Sequence, residues 1–390
     1  MKCAVSKWRT LILKLIRVVL VLVLLAGITA GIYYFLSMPE PLPEDTATLA
    51  WVNPGPFTVK SEEREYVDPS RPTQANGSFK GSAQRVLEAT VWYPTDAAGL
   101  LPLVIYSHGF VSHRSGGTYL GRHLASHGYF VIATNYPLTH YNAPGGPLVT
   151  DVVNQPGDIS VLIDRLLEDD RRMIDPKRMA AIGVSLGGLT SMLAGFHPQL
   201  GDERIGAVVS LAGPTYMFTA DYFAGSDVPL LSITGDQDVV ITYAENAANL
   251  LPRLHKGGLV TIKDGSHVAF AHAAEPFMRP FTNPDALACR AITANLDELE
   301  NVEDNPFEDL ASVADGVVFP VEPPPVCAVS PLPETLHPGR QHMIAKASVL
   351  SFLDAQFSLS EVRRNAAQRL LAHHLAQDFV EVSVELTGLD

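Results

Sequence analysis

Apolar and polar positions along the chain fall into three regimes. Val18 to Leu36 (VVLVLVLLAGITAGIYYFL) is an uncharged run of 19 residues, which as a helix rising about 1.5 Å per residue spans roughly the 30 Å hydrocarbon layer of a membrane. The run is apolar on every face, unlike the single stripe of a soluble surface helix. Residues 37–56 are rich in proline and acid and read as a stiff linker. From Phe57 to the end, short β-rich runs at 85–94, 101–109, 129–137, 178–185, 205–213, 228–236 and 258–265 alternate with helical stretches near 117–127, 156–170, 186–196, 243–254 and 344–356. Such alternation requires right-handed crossovers, hence an α/β body with a mostly parallel central sheet and helices on both faces. The inner runs are apolar at successive positions, as strands buried on both faces must be. The rhythm breaks at about 290–340, where residues 297–309 hold seven acids and no base and residues 320–338 hold seven prolines. This insertion reads as a solvated excursion, with a substrate lid as the alternative.

Charge gives the apolar run a direction. Lys2, Lys7, Arg9, Lys14 and Arg17 precede it with no acid among residues 1–17, leaving 23 basic and 42 acidic side chains, a net of −19, on the other 373 residues. A basic tip before a span stays in the cytoplasm, which puts the body across the membrane. The alternative is a cleaved secretory signal and a secreted body. Its apolar core would be shorter, and cleavage after Ala30 would put Ile28 where a small residue is wanted. Tyr33, Tyr34 and Phe35 instead resemble an interfacial belt, so a single-pass anchor over 18–36 is favoured. The acidic body is a poor match for phosphate backbones, which excludes a nucleic-acid partner. Cys3 lies on the tip, while Cys289 and Cys327 either pair in an oxidising compartment or are two separate buried thiols. No C-x-x-C occurs, and His123 and His127 flank Leu124 where a zinc-binding helix of this spacing needs Glu. Neither a metal nor a cofactor is expected.

The candidate chemistry concentrates in Gly183 to Gly188 (GVSLGG), between an apolar run and a helical one. A strand, a sharp turn and a helix are the context in which a G-x-S-x-G serine becomes a nucleophile, since glycines on either side leave room for the turn. Ser185 is that candidate. A hydroxyl needs an imidazole to take its proton, and the imidazole needs a carboxylate to fix its tautomer. The run at 228–236 leads into Gly235-Asp236-Gln237-Asp238 and the next into Gly265-Ser266-His267, both at C-terminal strand ends beside the turn. His267 is the favoured base, with His272 behind it. Asp238 is the favoured acid because Asp236, nearest the strand, suits a turn-tying role. An oxyanion formed in the reaction needs two backbone donors: Leu186 N–H after the nucleophile, and Phe110 N–H in the loop Ser107-His108-Gly109-Phe110, where His108 reads as a structural hydrogen-bonder.

Taken together, H-G-F, G-V-S-L-G-G, G-D-Q-D and G-S-H on this alternation resemble the α/β-hydrolase superfamily over roughly residues 85–275 plus the closing helix near 344–356. TVWYP, LPLVIYSHGF and HLASHGYFVIATNYP more narrowly resemble its dienelactone-hydrolase-like and platelet-activating-factor-acetylhydrolase-like branches. The first of these carries Cys at the position of Ser185, and the second usually carries His at that of Val184. The resemblance implies hydrolysis of carboxylic esters through an acyl-enzyme on Ser185, with no cofactor. An acyltransferase on the same residues and a catalytically silent binding module are the alternatives. Residues 138–155 and 214–227 leave strand ends, and their aromatic and Met content points to a lipophilic small-molecule ester, with ordinary loop packing as the other reading.

Overall fold

The computed structural model describes residues 2–296 and 310–389; the acidic stretch 297–309 lies outside the described residues. The chain divides into two units, Met1–Glu40 and Pro41–Asp390. In the first, helix α1 (Lys2–Leu36) begins well before the apolar run. Its Ile12–Leu36 stretch has a mean hydropathy of 2.6 over 25 residues, with none of it buried. By length and composition it can cross a membrane, and a signal sequence would have the same character.

The second unit is built on nine strands: β1 (Val59–Asp68), β2 (Arg85–Pro94), β3 (Leu101–Ser107), β4 (Phe130–Asn135), β5 (Ile174–Val184), β6 (Ala207–Leu211), β7 (Leu230–Gly235), β8 (Gly257–Ile262) and β9 (Val382–Thr387). They lie in the order β1-β2-β4-β3-β5-β6-β7-β8-β9. The six strands from β4 to β8 are parallel, with β1 and β2 antiparallel at one edge and β9 at the other. Helices α2 (Thr118–Ser126), α3 (Gln155–Asp169), α4 (Leu186–Phe196), α5 (Asp285–Leu296), α6 (Pro338–Phe357) and α7 (Glu361–Arg369) complete what positions the site. Two apolar clusters, one on each side of the sheet, are filled by alternate residues of the same strands: Val104 and Ile182 face one, Leu103, Ile105 and Ala181 the other. This is the α/β-hydrolase architecture.

Several details depart from the sequence pattern. The edge strands β1 and β9 lie outside the expected runs. The expected helix at 243–254 survives as single turns at Tyr243–Asn246 and Leu251–Arg253, because Pro252 has no N–H to donate. Residues 41–56, which composition reads as linker, pack on the body. Trp51 and Val52 are buried, and the Arg363 guanidinium sits 3.8 Å over the Trp51 ring. His123 and His127 hydrogen-bond the carbonyls of Trp51 and Asn53. The described part of the insertion is exposed over much of its length, as a solvated excursion would be, and is tied to the body at separate points. Val317 bridges to Phe218, Cys327 N–H donates to Val239 and Leu336 N–H to Asp264, so residues 310–336 run as a strap over the loops that follow β6, β7 and β8. Cys289 on α5 and Cys327 in the strap form a disulfide.

One charged cluster is fully buried. Arg85, at the start of β2, pairs with Asp151 and Asp158, all three unexposed, and Arg71 reaches Asp158 from the rim. Two carboxylates around one buried guanidinium are tolerated because every oxygen finds a donor, whereas removing the arginine would strand both acids.

Candidate active site

Ser185 lies between β5 and α4 with φ 56° and ψ −122°, a conformation costing about 1–3 kcal/mol for a residue with a side chain. Close packing holds it there. A Cβ on Gly183 would lie 1.9 Å from the Gly187 carbonyl oxygen, and one on Gly187 would lie 2.1 Å from that of Ser107. Only glycine lets the strand, turn and β3 approach this closely. Ser185 N–H donates to Leu211 on β6 at 2.8 Å, and Ser185 O accepts from Gly188 and Leu189. The side chain is thereby aimed out of the C-terminal edge of the sheet.

His267 and Asp238 meet because β7 and β8 are adjacent parallel strands, and the loops leaving them start side by side. His267 Nδ1 and Asp238 Oδ2 are 2.7 Å apart, with both residues buried. The other oxygen of Asp238 accepts from Val240 N–H at 2.9 Å and Ile241 N–H at 2.7 Å, so Nδ1–H must be the donor to Oδ2, leaving Nε2 with a free lone pair. Burial works against a charged His267, but the Asp238 carboxylate outweighs it and raises the pKa above its ordinary value, with Asp285 adding to the effect. Asp236 does something else. Its Oδ1 accepts from Asp264 N–H at 2.7 Å, tying the ends of β7 and β8, and burial raises its pKa.

Among the described residues no hydrogen bond joins Ser185 Oγ to His267, a contact that commonly tightens when substrate arrives. Nor does either the Phe110 or the Leu186 amide donate to an acceptor. The Leu186 amide is the first of α4, whose dipole favours negative charge at that end. On the Phe110 side, Val111 has φ 58°, which a β-branched residue adopts only when its surroundings impose it. Val111 N–H donates to Thr139 O at 3.0 Å, and His108 braces the start of the same loop. Its Nδ1 lies 2.8 Å from Gly109 O and its Nε2 accepts from Tyr136 N–H, while burial drives its pKa down to about 3. His272 N–H donates to Gly116 O and its ring stacks with Tyr119, with no contact to Asp238.

Most of the aromatic residues of 214–227 pack into the body. Met217, Phe218, Tyr222 and Phe223 are buried, with Phe218 stacked on Tyr222 and Phe223 edge-on to Phe196 at the end of α4. Ring against ring, they fill core beneath the strap, as ordinary loop packing would, while Tyr216 is half-buried and edge-on to Phe319.

Sequence reasoning missed Asp285. This fully buried carboxylate accepts from His267 N–H at 3.1 Å and from Val268 N–H at 2.7 Å. An acid at a helix start reads locally as dipole complementation, and nothing nearby in sequence signals that its partner is 18 residues upstream.

Residues 66–282 match a family described as PET hydrolase-like. Lipase 1 of Moraxella sp. (strain TA144) is 31% identical over 128 residues, which is 30% of this chain and 37% of that protein. The chain thus aligns with little more than a third of the lipase's length. The narrower branches that the strand motifs resemble are not the ones these matches name. Phe110, Ser185, Leu186, Asp238 and His267 all fall within the matched residues, whereas Asp285, Cys289 and Cys327 lie beyond them.

Proposed function

We propose that this chain, which belongs to the PET hydrolase-like family of the α/β-hydrolase superfamily, is a membrane-anchored serine esterase in which Ser185, His267 and Asp238 form the catalytic triad. Family and relative alike make it an ester hydrolase. The observation that carries the finer reading is the 2.7 Å contact between His267 Nδ1 and Asp238 Oδ2, which leaves Nε2 unprotonated for the serine.

In this mechanism Ser185 Oγ attacks the ester carbonyl carbon while His267 Nε2 takes the hydroxyl proton. The carbonyl oxygen becomes an oxyanion, received by the Phe110 and Leu186 amides. Collapse breaks the bond to the alcohol oxygen, which leaves with the proton from His267, and the acyl group stays on Ser185. Water then attacks the acyl-enzyme, His267 takes its proton, and a second collapse returns the serine and releases the acid. Asp238 holds the tautomer and stabilises the imidazolium at both stages. A fluorophosphonate should label the wild-type chain once, on the peptide containing Ser185, and a series of p-nitrophenyl esters of rising acyl length should define the acyl site. Labelling elsewhere with Ser185 unmodified would refute the assignment.

The anchor reading rests on the basic tip, the apolar Ile12–Leu36 stretch and the Cys289–Cys327 disulfide, which suits an oxidising compartment. The positive-inside rule puts the tip in the cytoplasm and the body outside, where lipophilic esters near the membrane would be its substrates. Deleting residues 1–36 should release an active soluble enzyme, since every proposed catalytic group lies beyond residue 107. Protease added outside intact cells or spheroplasts should digest the body and spare the tip. Protection of the body would overturn the orientation.

A further inference from the structure

The turn that carries His267 is gripped through its backbone from two sides. Gln341 on α6 accepts from Ser266 N–H at 3.1 Å and donates to Ser266 O at 2.8 Å. Asp285, the first residue of α5, accepts from His267 and Val268. Both side chains are unexposed. Asp285 is held in turn by Asn283, whose Oδ1 accepts from its N–H at 2.8 Å and whose Nδ2 donates to Pro333 O in the strap. One helical turn after Asp285, the Cys289–Cys327 disulfide ties α5 to Cys327, whose N–H donates at 2.7 Å to the carbonyl of Val239, next to Asp238. The segment that grips the His267 turn is therefore also bound to the Asp238 loop.

A buried carboxylate is an expensive way to satisfy two amides. Each of its oxygens accepts from one of them, whereas an asparagine would turn its NH₂ group towards one of the two donors. It also places a second negative charge behind His267, where positive charge develops as the serine proton is taken. From Asp285 we infer a positioning residue for His267, holding the turn in register with Ser185 and favouring the imidazolium; the inference rests on His267 being the base. The charged groups facing His267 are Asp238 from the β7 loop and Asp285 from α5. Those facing Asp285 are Asp238 and His267: burial and the Asp238 charge raise its pKa, and His267 opposes them. From α6 the facing group is the neutral Gln341, and the next residue, His342, bonds Ala271 O and is kept neutral by burial, its pKa lowered to about 3.

The test compares wild type, Asp285→Asn, Asp285→Glu and His267→Ala on a p-nitrophenyl ester across pH, with rates taken per folded molecule by circular dichroism. Asp285→Asn should lower kcat by about 10- to 100-fold, the scale of an ångström-sized misplacement, with KM little changed. Losing the carboxylate lowers the His267 pKa, so the acid limb of kcat/KM should move to lower pH. Asp285→Glu keeps the charge, and its acid limb should stay near that of wild type. Wild-type kcat and an unmoved acid limb in Asp285→Asn, with His267→Ala inactive, would overturn this inference alone. Activity in His267→Ala would instead remove the reading beneath it. Where Asp285→Asn does not fold, Asn283→Ala loosens the same carboxylate without removing it and should lower kcat at unchanged KM; full kcat there overturns the inference.

Discussion

Ser185→Ala is expected to abolish fluorophosphonate labelling and to lower ester hydrolysis by on the order of 10⁴-fold or more. The magnitude follows from what the hydroxyl does. Without it the covalent path closes, and only the binding cleft and the Phe110 and Leu186 donors remain to help water attack directly. The fold should survive, because Ser185 is held by its backbone bonds to Leu211, Gly188 and Leu189 and not by its hydroxyl, and alanine meets the same strain at φ 56°. The neighbouring hydroxyls offer no substitute nucleophile: Ser210 and Ser266 are fully buried. Undiminished labelling of a folded Ser185→Ala protein, measured by gel fluorescence alongside thermal unfolding, would remove Ser185 from the mechanism.

How far the fold could be read from the chain depended on burial. Strands β3, β6 and β7 are buried at every position and β5 from Met179 to Val184, so their apolar runs announce them without needing a partner. The edge strand β1 carries Lys60, Glu62, Glu63, Arg64 and Glu65, mostly facing solvent, and this charge, which protects an edge from pairing with other chains, also hides it from a search for apolar runs. In β9 the alternation was present: Val382, Val384 and Leu386 turn to the core beside Ser383, Glu385 and Thr387, and its place after the last expected helix obscured it. Local chemistry made the turn at Ser185 readable, since glycines at 183 and 187 are required by contacts within a few residues or with the adjacent strand end. The pairing of Asp238 with His267 needed only that two consecutive parallel strands end side by side. Asp285 and the disulfide strap demanded knowledge of where a proline-rich segment travels, which no local pattern encodes. The same holds for Trp51, whose burial under Arg363 joins residues far apart in sequence.

Asp238→Asn is expected to lower turnover by about 10⁴-fold, while Asp236→Asn leaves turnover within a few-fold and lowers stability by about 1 kcal/mol, the difference between a hydrogen bond to a charged acceptor and one to a neutral acceptor. The difference follows from which atoms each carboxylate serves. Two backbone donors, Val240 and Ile241 N–H, point at one oxygen of Asp238, so the oxygen of an asparagine must sit there. Its NH₂ group then faces His267 Nδ1, which can meet it only as an acceptor. The ring proton moves to Nε2, the atom that must take the serine proton, and the base is disabled with the geometry almost untouched. Asp236 bonds Asp264 N–H and no imidazole, and an asparagine oxygen can accept that bond. Steady-state rates for the two variants, with thermal unfolding to separate activity from folding, decide the matter. Loss of turnover in Asp236→Asn with near-normal turnover in Asp238→Asn would transfer the acid's role to Asp236 and make the 2.7 Å contact a structural one.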